Sequence, residues 1–225
     1  WPSSQAATVA LAQGGGAPSA LHNNCSGKHS GFLCTCVHAG IDHHGYVEAG
    51  HAFQEMVRAA MEDVTGAAHN AANRGIDGCS IPTYAVPLRD LARGFARMVT
   101  GNGLPPERAK AAGRLMSACM AEPFLISGTD KADAALMGAA PGRIFVKSGA
   151  EGVYWAAIPE LGLGIALKCD DGAIRGAETM IAAVLAKLLA SDEALSATLI
   201  TQACPVLKNW NGLSVASLRP TAALA

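Results

Sequence analysis

Aromatic residues and charge are both scarce in this sequence. Of its 225 residues, 5% are aromatic and 16% are charged, and the formal net charge is −1. Because neither charge sign dominates, the chain has no field that would attract nucleic acid or an anionic membrane surface. No apolar run reaches the ~18 residues that a membrane-spanning helix needs, and no signal-peptide pattern opens the chain. These absences argue against nucleic-acid and membrane partners and favour a small-molecule or peptide ligand.

Cys-x-x-Cys pairs are also absent, although the chain has seven cysteines. An odd number of cysteines does not complete a disulfide framework, so we expect a reducing, cytoplasmic setting with thiols as metal ligands or core residues. An initiator methionine is absent too, since the chain starts at Trp1-Pro2 without a capping signal or an obvious first strand. We therefore expect a single domain over residues 1–225 that is N-terminally incomplete.

The apolar pattern predicts helices followed by short strands. Helical spacing, capping residues and breakers predict helices over 5–13, 48–69, 88–99, 105–121, 131–138 and 177–189. Short apolar runs joined by tight turns predict strands over 143–147, 153–158 and 162–168. The segment 70–82 and the tail after residue 189 are interpreted as loops. This order of elements predicts an α+β fold, with helices flanking an antiparallel sheet.

The densest group of reactive side chains lies between His22 and His38. It combines nucleophile, base and metal-ligand types at Cys25, Ser26, Lys28, His29, Ser30, Cys34, Cys36 and His38. Gly27 and Gly31 let the backbone turn sharply or approach a ligand. An apolar run follows, so the group lies at the leading edge of a buried helix or strand, where a scaffold presents functional groups. We expect a functional site here.

Two cysteines and a lysine form a candidate zinc site. Cys25 and Lys28 are close enough in sequence for one turn to direct both at the same point. Cys79 can join them from a second polar segment, with Asp77 behind the ligands as a hydrogen-bond acceptor. A lysine ligand must be neutral, so a metal or burial has to lower its pKa. The alternative from the residues alone is two ordinary buried thiols and a surface lysine.

The histidines offer a weaker set of ligands. All seven lie between His22 and His69, but only His22 and His29 lie close to Cys25 in the dense stretch. Four others lie on predicted loops or on the polar side of the 48–69 helix, and we expect most to be solvated: His43, His44, His51 and His69. His43 and His44 are therefore poor candidates for zinc ligands.

A third feature is Lys147-Ser148-Gly149 at the end of an apolar strand. A strand that ends in Lys-Ser/Thr-Gly is typical of serine β-lactamases and penicillin-binding proteins, where the lysine contacts substrate or tunes the nucleophile and the strand offers backbone donors. Ser26-Gly27-Lys28 is a candidate variant of the second element of that arrangement. The nucleophile element, Ser-x-x-Lys, does not occur in the sequence. The alternative is a strand-end turn with an exposed lysine.

Together these segments resemble the rhizobial-type, or class 3, L-asparaginases (the asparaginase II family). The resemblance is carried by His22-Asn23-Asn24-Cys25-Ser26-Gly27-Lys28-His29, Asp77-Gly78-Cys79-Ser80, Lys147-Ser148-Gly149-Ala150-Glu151-Gly152 and Asn209-Trp210-Asn211-Gly212. It covers essentially the whole chain, and the first motif is long enough to be specific.

The resemblance implies hydrolysis of L-asparagine to L-aspartate and ammonia by a homodimer with a serine β-lactamase/glutaminase-like fold. It implies a Zn²⁺ site that helps to position substrate, and it gives each candidate residue a role. Cys25, Lys28 and Cys79 become the metal ligands with Asp77 as their outer partner, Lys147 becomes catalytic, and Ser26, His29, Ser148 and Gly149 become substrate-binding.

The departure from the family is the absent Ser-x-x-Lys element, which would precede Trp1. The implied mechanism is acyl transfer, in which a serine deprotonated by a lysine attacks the side-chain amide and water then hydrolyses the ester. Two alternatives stay open. In one, Cys25 is the nucleophile and His29 its base. In the other, the chain is a non-catalytic fragment that binds zinc or forms a dimer.

Overall fold

The computed structural model describes residues 1–224. The helices in this part of the chain are α1 (Gln5–Gln13), α2 (Ser26–Ala39), α3 (Ala52–Thr65), α4 (Leu88–Thr100), α5 (Pro106–Ala121), α6 (Pro123–Ser127), α7 (Ala132–Ala139), α8 (Ile174–Leu188) and α9 (Glu193–Ala203). The strands are β1 (Arg74–Ile76), β2 (Pro82–Tyr84), β3 (Phe145–Gly149), β4 (Val153–Ile158), β5 (Leu163–Lys168), β6 (Val206–Lys208) and β7 (Ser214–Ser217). All sheet pairings are antiparallel, so the predicted α+β class is confirmed.

Local signals placed several elements correctly. Helix α1 has the predicted bounds, and the Ser4 hydroxyl at its N-cap accepts a hydrogen bond from the Ala7 N–H. Strand β4 also has the predicted bounds, and β3-β4-β5 form the expected meander. Helix α3 is shorter than the predicted 48–69 helix because the His51 side chain caps its start and Gly66 ends it in the left-handed conformation.

Two segments interpreted as loops are ordered elements instead. The tail contains α9, whose buried residues Leu195, Leu199 and Ala203 recur every fourth position, followed by the β6–β7 hairpin. This stripe was overlooked because serine and threonine separate its apolar residues. The segment 70–82 contains β1 and the turn into β2, which strands of three residues each do not reveal by periodicity.

The first of two compact units spans Trp1–Pro87. Helices α2 and α3 contact each other there, with the Phe32 and Phe53 rings 4.9 Å apart. Among the described residues, the buried apolar side chains of this unit are few, and they are Cys36, Phe53 and Ile81. Side chains in this unit are therefore positioned largely by hydrogen bonds.

The second unit, from Leu88 onward, contains the main hydrophobic core. Helix α4 packs on β4 and β5, and α8 packs on β4 and α9. Phe95 of α4 stacks on Phe145 and Trp155, with ring centroids 5.7 and 5.8 Å apart. None of the helices within residues 1–224 is long and apolar enough to span a membrane. That one domain covers both units stays a prediction.

Candidate functional site

Four polar side chains of the first unit, Cys25, Lys28, Asp77 and Cys79, come together as a group that we call the thiol cluster. Cys25 is the N-cap of α2 and Lys28 lies in the first turn of that helix. The free backbone N–H groups at a helix start carry partial positive charge, which favours a negatively charged sulfur at this position. The helix start thus supplies half of the cluster.

The β1–β2 hairpin supplies the other half. The Asp77 N–H donates to the Ile81 carbonyl and the Ser80 N–H donates to the Asp77 carbonyl, each at 2.8 Å, closing the turn that carries Asp77 and Cys79. Ser80 has a φ of +75°, a left-handed conformation that costs a non-glycine residue energy. The turn is therefore both closed by hydrogen bonds and mildly strained next to Cys79.

The contacts within the thiol cluster are direct. The Lys28 ammonium donates to Cys79 Sγ at 3.3 Å and lies 3.5 Å from Asp77 Oδ2. The Cys79 thiol donates to the same Oδ2 at 3.1 Å. One ligand atom each from Cys25, Asp77 and Cys79 lies within 4.8 Å of the others. Asp77, expected behind the ligands, thus offers an oxygen within the ligand set itself.

Mutual interactions shift the proton affinities of the cluster. Burial and the hydrogen bond to Asp77 raise the pKa of the Cys79 thiol. That hydrogen bond is also the main reason that the pKa of Asp77 lies below its usual value. Burial lowers the pKa of Lys28, but the bond to Cys79 and the negative charge of Cys25, Cys79 and Asp77 outweigh burial, so this pKa is raised. Lys28 and Cys79 therefore both hold their protons more tightly than isolated side chains do.

This donor set fits a zinc ion. Two sulfurs, an amine and a carboxylate oxygen are ligand types suited to Zn²⁺, and four donors match its preferred coordination number. If Lys28, Cys25 and Cys79 served as ligands, they would have to release protons, and the affinity of the cluster for metal would depend on pH.

Two substrate-binding candidates in this unit lie on α2 beside the cluster. Ser26 is half-buried in the first turn. His29 Nδ1 lies 2.6 Å from the Tyr46 hydroxyl, while its buried Nε2 has no hydrogen-bond partner among the described residues. Burial, followed by the charge of Lys28, lowers the pKa of His29. With Nδ1 used by Tyr46 and Nε2 unpaired, no hydrogen bond joins His29 to Cys25.

The remaining histidines differ from one another. His43 and His44 are exposed, as expected, and lie beside Asp42 in a second group of ligand types on the surface. His69 is completely buried and so is an exception to the expected solvation. Its Nδ1 lies 2.8 Å from the Ala67 carbonyl and its ring packs on Tyr84 at 4.9 Å, which makes it a core residue under the hairpin.

The second unit has its own polar group, Asp133, Lys147, Ser148 and Tyr154, which we call the lysine cluster. Lys147 Nζ donates to the Ser148 carbonyl at 2.8 Å and to Ser148 Oγ at 3.2 Å. The Ser148 N–H donates to Asp133 Oδ1 at 2.6 Å, and the Tyr154 hydroxyl donates to Asp133 Oδ2 at 2.8 Å. The Ser148 N–H, within the segment expected to offer backbone donors, is thus already engaged.

The structure brings the four predicted metal-site residues together and places Lys147, Ser148 and Gly149 at the end of β3 in the second unit. Sequence reasoning missed Tyr46, Asp133 and Tyr154. Their spacing from the residues that they contact is irregular, so no local signal could have found them. The only hint in the sequence is at Asp133, where a carboxylate lies within an otherwise apolar helix.

The family model described as L-asparaginase II matches residues 1–220. The chain belongs to this family. A search of the curated proteins found no match to this chain. Membership of the L-asparaginase II family indicates an asparaginase-type amidohydrolase with a small-molecule substrate, and the recognised family is confirmed.

Proposed function

We propose that the chain acts in hydrolysis of the side-chain amide of L-asparagine, which yields L-aspartate and ammonia. The observation that carries this proposal is the family match over residues 1–220. The thiol cluster supports it, because Lys28 and Cys79 make contact although they are 51 positions apart in sequence. Two of the residues that the resemblance singles out are thus in direct contact.

A zinc ion is part of the proposal. Cys25, Lys28 and Cys79 would hold it, and Asp77 would either complete the set or fix the orientation of Cys79 through their hydrogen bond. Held by Cys25, Lys28 and Cys79 alone, Zn²⁺ would supply a Lewis acid with its fourth position open to a substrate oxygen or nitrogen. The residues beside it, Ser26 and His29, would then contact the amino acid.

The chemistry that we propose is serine/lysine acyl transfer. A serine hydroxyl, deprotonated by a lysine, adds to the amide carbon, and the bond to nitrogen breaks as ammonia leaves. Water then cleaves the resulting ester and regenerates the serine. The amine of Lys147 would take part in the proton network, and Ser148 and Gly149 would line the substrate. The Ser-x-x-Lys pair of this mechanism is not among the 225 residues.

Two other interpretations stay open, a cysteine nucleophile and a non-catalytic fragment. For Cys25 to be the nucleophile, His29 should hydrogen bond to its sulfur, but Nδ1 of His29 is used by Tyr46 and Nε2 is unpaired within residues 1–224. A non-catalytic zinc-binding fragment is consistent with the thiol cluster and with the absent Ser-x-x-Lys pair. Only a measurement of turnover separates this reading from the main proposal.

The proposal also covers the oligomeric state, the fold and the cellular compartment of the protein. We expect a homodimer with a serine β-lactamase/glutaminase-like fold, both by analogy with the family. We expect a cytoplasmic protein because its seven cysteines are all free thiols, and a zinc site built on thiolates needs a reducing setting.

The test measures zinc content and asparagine hydrolysis on the same samples. We expect about one zinc per chain in the wild type, and loss of zinc in Cys25→Ser and in Cys79→Ser. Cys34→Ser is the matched control, because Cys34 is an exposed cysteine on the same helix. His43→Asn controls for metal held by the surface histidines.

The outcomes separate the readings. Ammonia release that persists in Cys25→Ser would exclude the cysteine mechanism, whereas activity lost in Cys25→Ser but kept in Cys79→Ser would support it, because both variants lose zinc. Zinc binding without turnover leaves the non-catalytic fragment. A folded wild type that binds no zinc contradicts the proposed metal site.

A further inference from the structure

Asp133 is the most deeply buried carboxylate in the described part of the chain, with 1% of its surface exposed. It lies in the first turn of α7, yet both of its oxygens are used by residues from the sheet. Oδ1 accepts from the Ser148 N–H at 2.6 Å and Oδ2 accepts from the Tyr154 hydroxyl at 2.8 Å. A buried carboxylate is costly unless it is fully hydrogen-bonded, as this one is.

The Ser148 N–H reaches Asp133 because β3 is an edge strand. In the β3–β4 register, Ser148 lies opposite Tyr154 and Lys147 opposite Trp155. Successive N–H groups of a strand point to opposite edges, so the Ser148 N–H, which bonds to Asp133, points away from β4. An unpaired N–H on an edge is free to bind another group. Here Asp133, a residue of the same unit, accepts the hydrogen bond from the Ser148 N–H.

Lys147 depends on the same anchor. Its amine donates to both the carbonyl and the hydroxyl of Ser148, at 2.8 and 3.2 Å, and lies 3.6 Å from Asp133 Oδ1. The place of the amine is therefore set by the place of the Ser148 backbone. Asp133 fixes that backbone, so a path of direct contacts joins Asp133 to the Lys147 amine.

Neighbouring groups keep the Tyr154 hydroxyl as the donor and Asp133 as the acceptor in their hydrogen bond. Burial, followed by the charge of Asp133 and the bond to it, raises the pKa of Tyr154, so its hydroxyl stays a donor. Burial and the charge of Asp133 also raise the pKa of Glu178, while the charge of Lys131 acts in the opposite direction. Among the described residues, Glu178 and Lys147 are charged side chains that interact with the Asp133 carboxylate.

We propose that Asp133 is a positioning residue, which fixes the Ser148 backbone, holds the Lys147 amine in place through it and withdraws the Ser148 N–H from substrate binding. The part that concerns catalysis rests on the proposed function, because it requires Lys147 to act in asparagine hydrolysis. The part that concerns anchoring stands on the contacts alone.

The test uses three variants of the full chain. Asp133→Ala removes both acceptors. Asp133→Asn keeps an oxygen for the Ser148 N–H and places an amide against the Tyr154 hydroxyl, which can accept from it. Tyr154→Phe removes one hydrogen bond to Asp133 but leaves the bond to Ser148, and serves as the matched control. If Asp133→Ala does not fold, Asp133→Leu fills the same space without an acceptor.

Amide hydrogen exchange at Ser148 reports the anchoring without requiring activity. We expect exchange about tenfold faster or more in Asp133→Ala, and near the wild-type rate in Asp133→Asn and Tyr154→Phe. For asparagine hydrolysis, we expect kcat to fall about 100-fold in Asp133→Ala with little change in KM. Asp133→Asn should recover kcat to within about threefold of the wild type, since it restores the bond to Ser148.

Three results would overturn the proposal. Unchanged Ser148 exchange in Asp133→Ala would show that Asp133 does not anchor the strand. Equal losses of kcat in Asp133→Ala and Tyr154→Phe would show a general structural role. An Asp133→Asn variant with slow exchange but no recovered activity would assign the effect to charge rather than to position. If the wild type hydrolyses no asparagine, the proposed function fails, while the exchange rates still support or overturn the anchoring.

Discussion

The thiol cluster and the lysine cluster are both polar groups, but their supports differ. Lys28 and Asp77 have 37% and 39% of their side chains exposed, and they lie on a helix start and a hairpin turn. Tyr154 and Asp133 are almost fully buried, and they lie on a central strand and a helix of the main core. The first cluster is held by contacts among its own members, and the second is held by the core around it.

This difference indicates two ways in which a protein can hold the side chains of a functional site in position. Apolar burial in the second unit offsets the cost of ordering the side chains of the lysine cluster, so we expect this cluster to keep its geometry without a ligand. The thiol cluster is held by hydrogen bonds among exposed or half-buried side chains, and the described part of its unit has only three buried apolar residues, Cys36, Phe53 and Ile81. We therefore expect a bound metal, rather than packing, to fix its geometry. The predictions that follow test this contrast.

The largest effect is expected from Gly164→Ala in β5. A Cβ at this position would overlap the Ala92 carbonyl oxygen and lie 2.5 Å from the Ala96 nitrogen, both in the backbone of α4. Because neither backbone can give way easily, we expect the free energy of unfolding to fall by about 3 kcal/mol or more. Urea denaturation followed by tryptophan fluorescence measures this loss.

Gly78→Ala is the matched control in the first unit. A Cβ at Gly78, in the turn between Asp77 and Cys79, would meet nothing within 4 Å. We expect the unfolding free energy to change by no more than about 0.5 kcal/mol. If Gly78→Ala destabilised the protein as much as Gly164→Ala, the contrast between a loosely packed and a tightly packed site would be wrong.

A second prediction concerns the effect of zinc on each unit. At free zinc about 100 times the dissociation constant, binding should stabilise the hairpin β1–β2 and the start of α2 by about 2.7 kcal/mol. We expect amide exchange in these segments to slow, and exchange in β3, β4 and β5 to change little. Mass-spectrometric exchange with and without zinc measures both, and Cys79→Ser should abolish the difference. Equal protection of β3–β5 would contradict the view that the second unit is organised without metal.

The sequence could predict those parts of the site that depend on short-range spacing. Cys25 and Lys28 share one helical turn, and Asp77 and Cys79 share one hairpin turn, so each pair follows from local structure. Their meeting does not follow from spacing; the residues alone left it open against two ordinary buried thiols and a surface lysine, and the family resemblance then favoured it. Asp133 illustrates the limit best, because its partners Ser148 and Tyr154 are 15 and 21 positions away and no periodicity joins them.

The same limit applies to the fold: elements marked by local signals could be predicted, and elements that depend on distant contacts could not. Strands β3, β4 and β5 were predicted because each apolar run ends at a tight turn. Helix α9 was missed because its buried stripe is interrupted by polar residues, and its place in the core depends on contact with α8. His69 is an exception to the solvation expected of most of the histidines outside the dense stretch, because the ring of Tyr84 in the neighbouring hairpin packs on it.

The smallest effect is expected from Arg143→Gln, which tests whether the surface of the second unit contributes to its stability. Arg143 donates two hydrogen bonds to Glu160, both at 3.0 Å, and one to Asp192 at 2.7 Å. These bonds hold the pKa values of both carboxyl groups below their usual range. A carboxyl whose pKa is lower in the folded state stabilises the fold above its unfolded pKa, and this stability is lost as pH falls through the folded value.

We therefore expect Arg143→Gln to lower the Tm by about 1–2 °C at neutral pH and the difference to close as the pH falls below about 4. Arg175→Gln is the control, since Arg175 makes an ion pair only with Asp171, one helical turn away, and should change the Tm less. The two arginines differ mainly in what they join. Arg143 ties the start of β3 to the N-cap of α9, whereas Arg175 pairs within one local segment. A Tm difference that persisted at low pH would show that Arg143 acts through packing of its stem rather than through its charge.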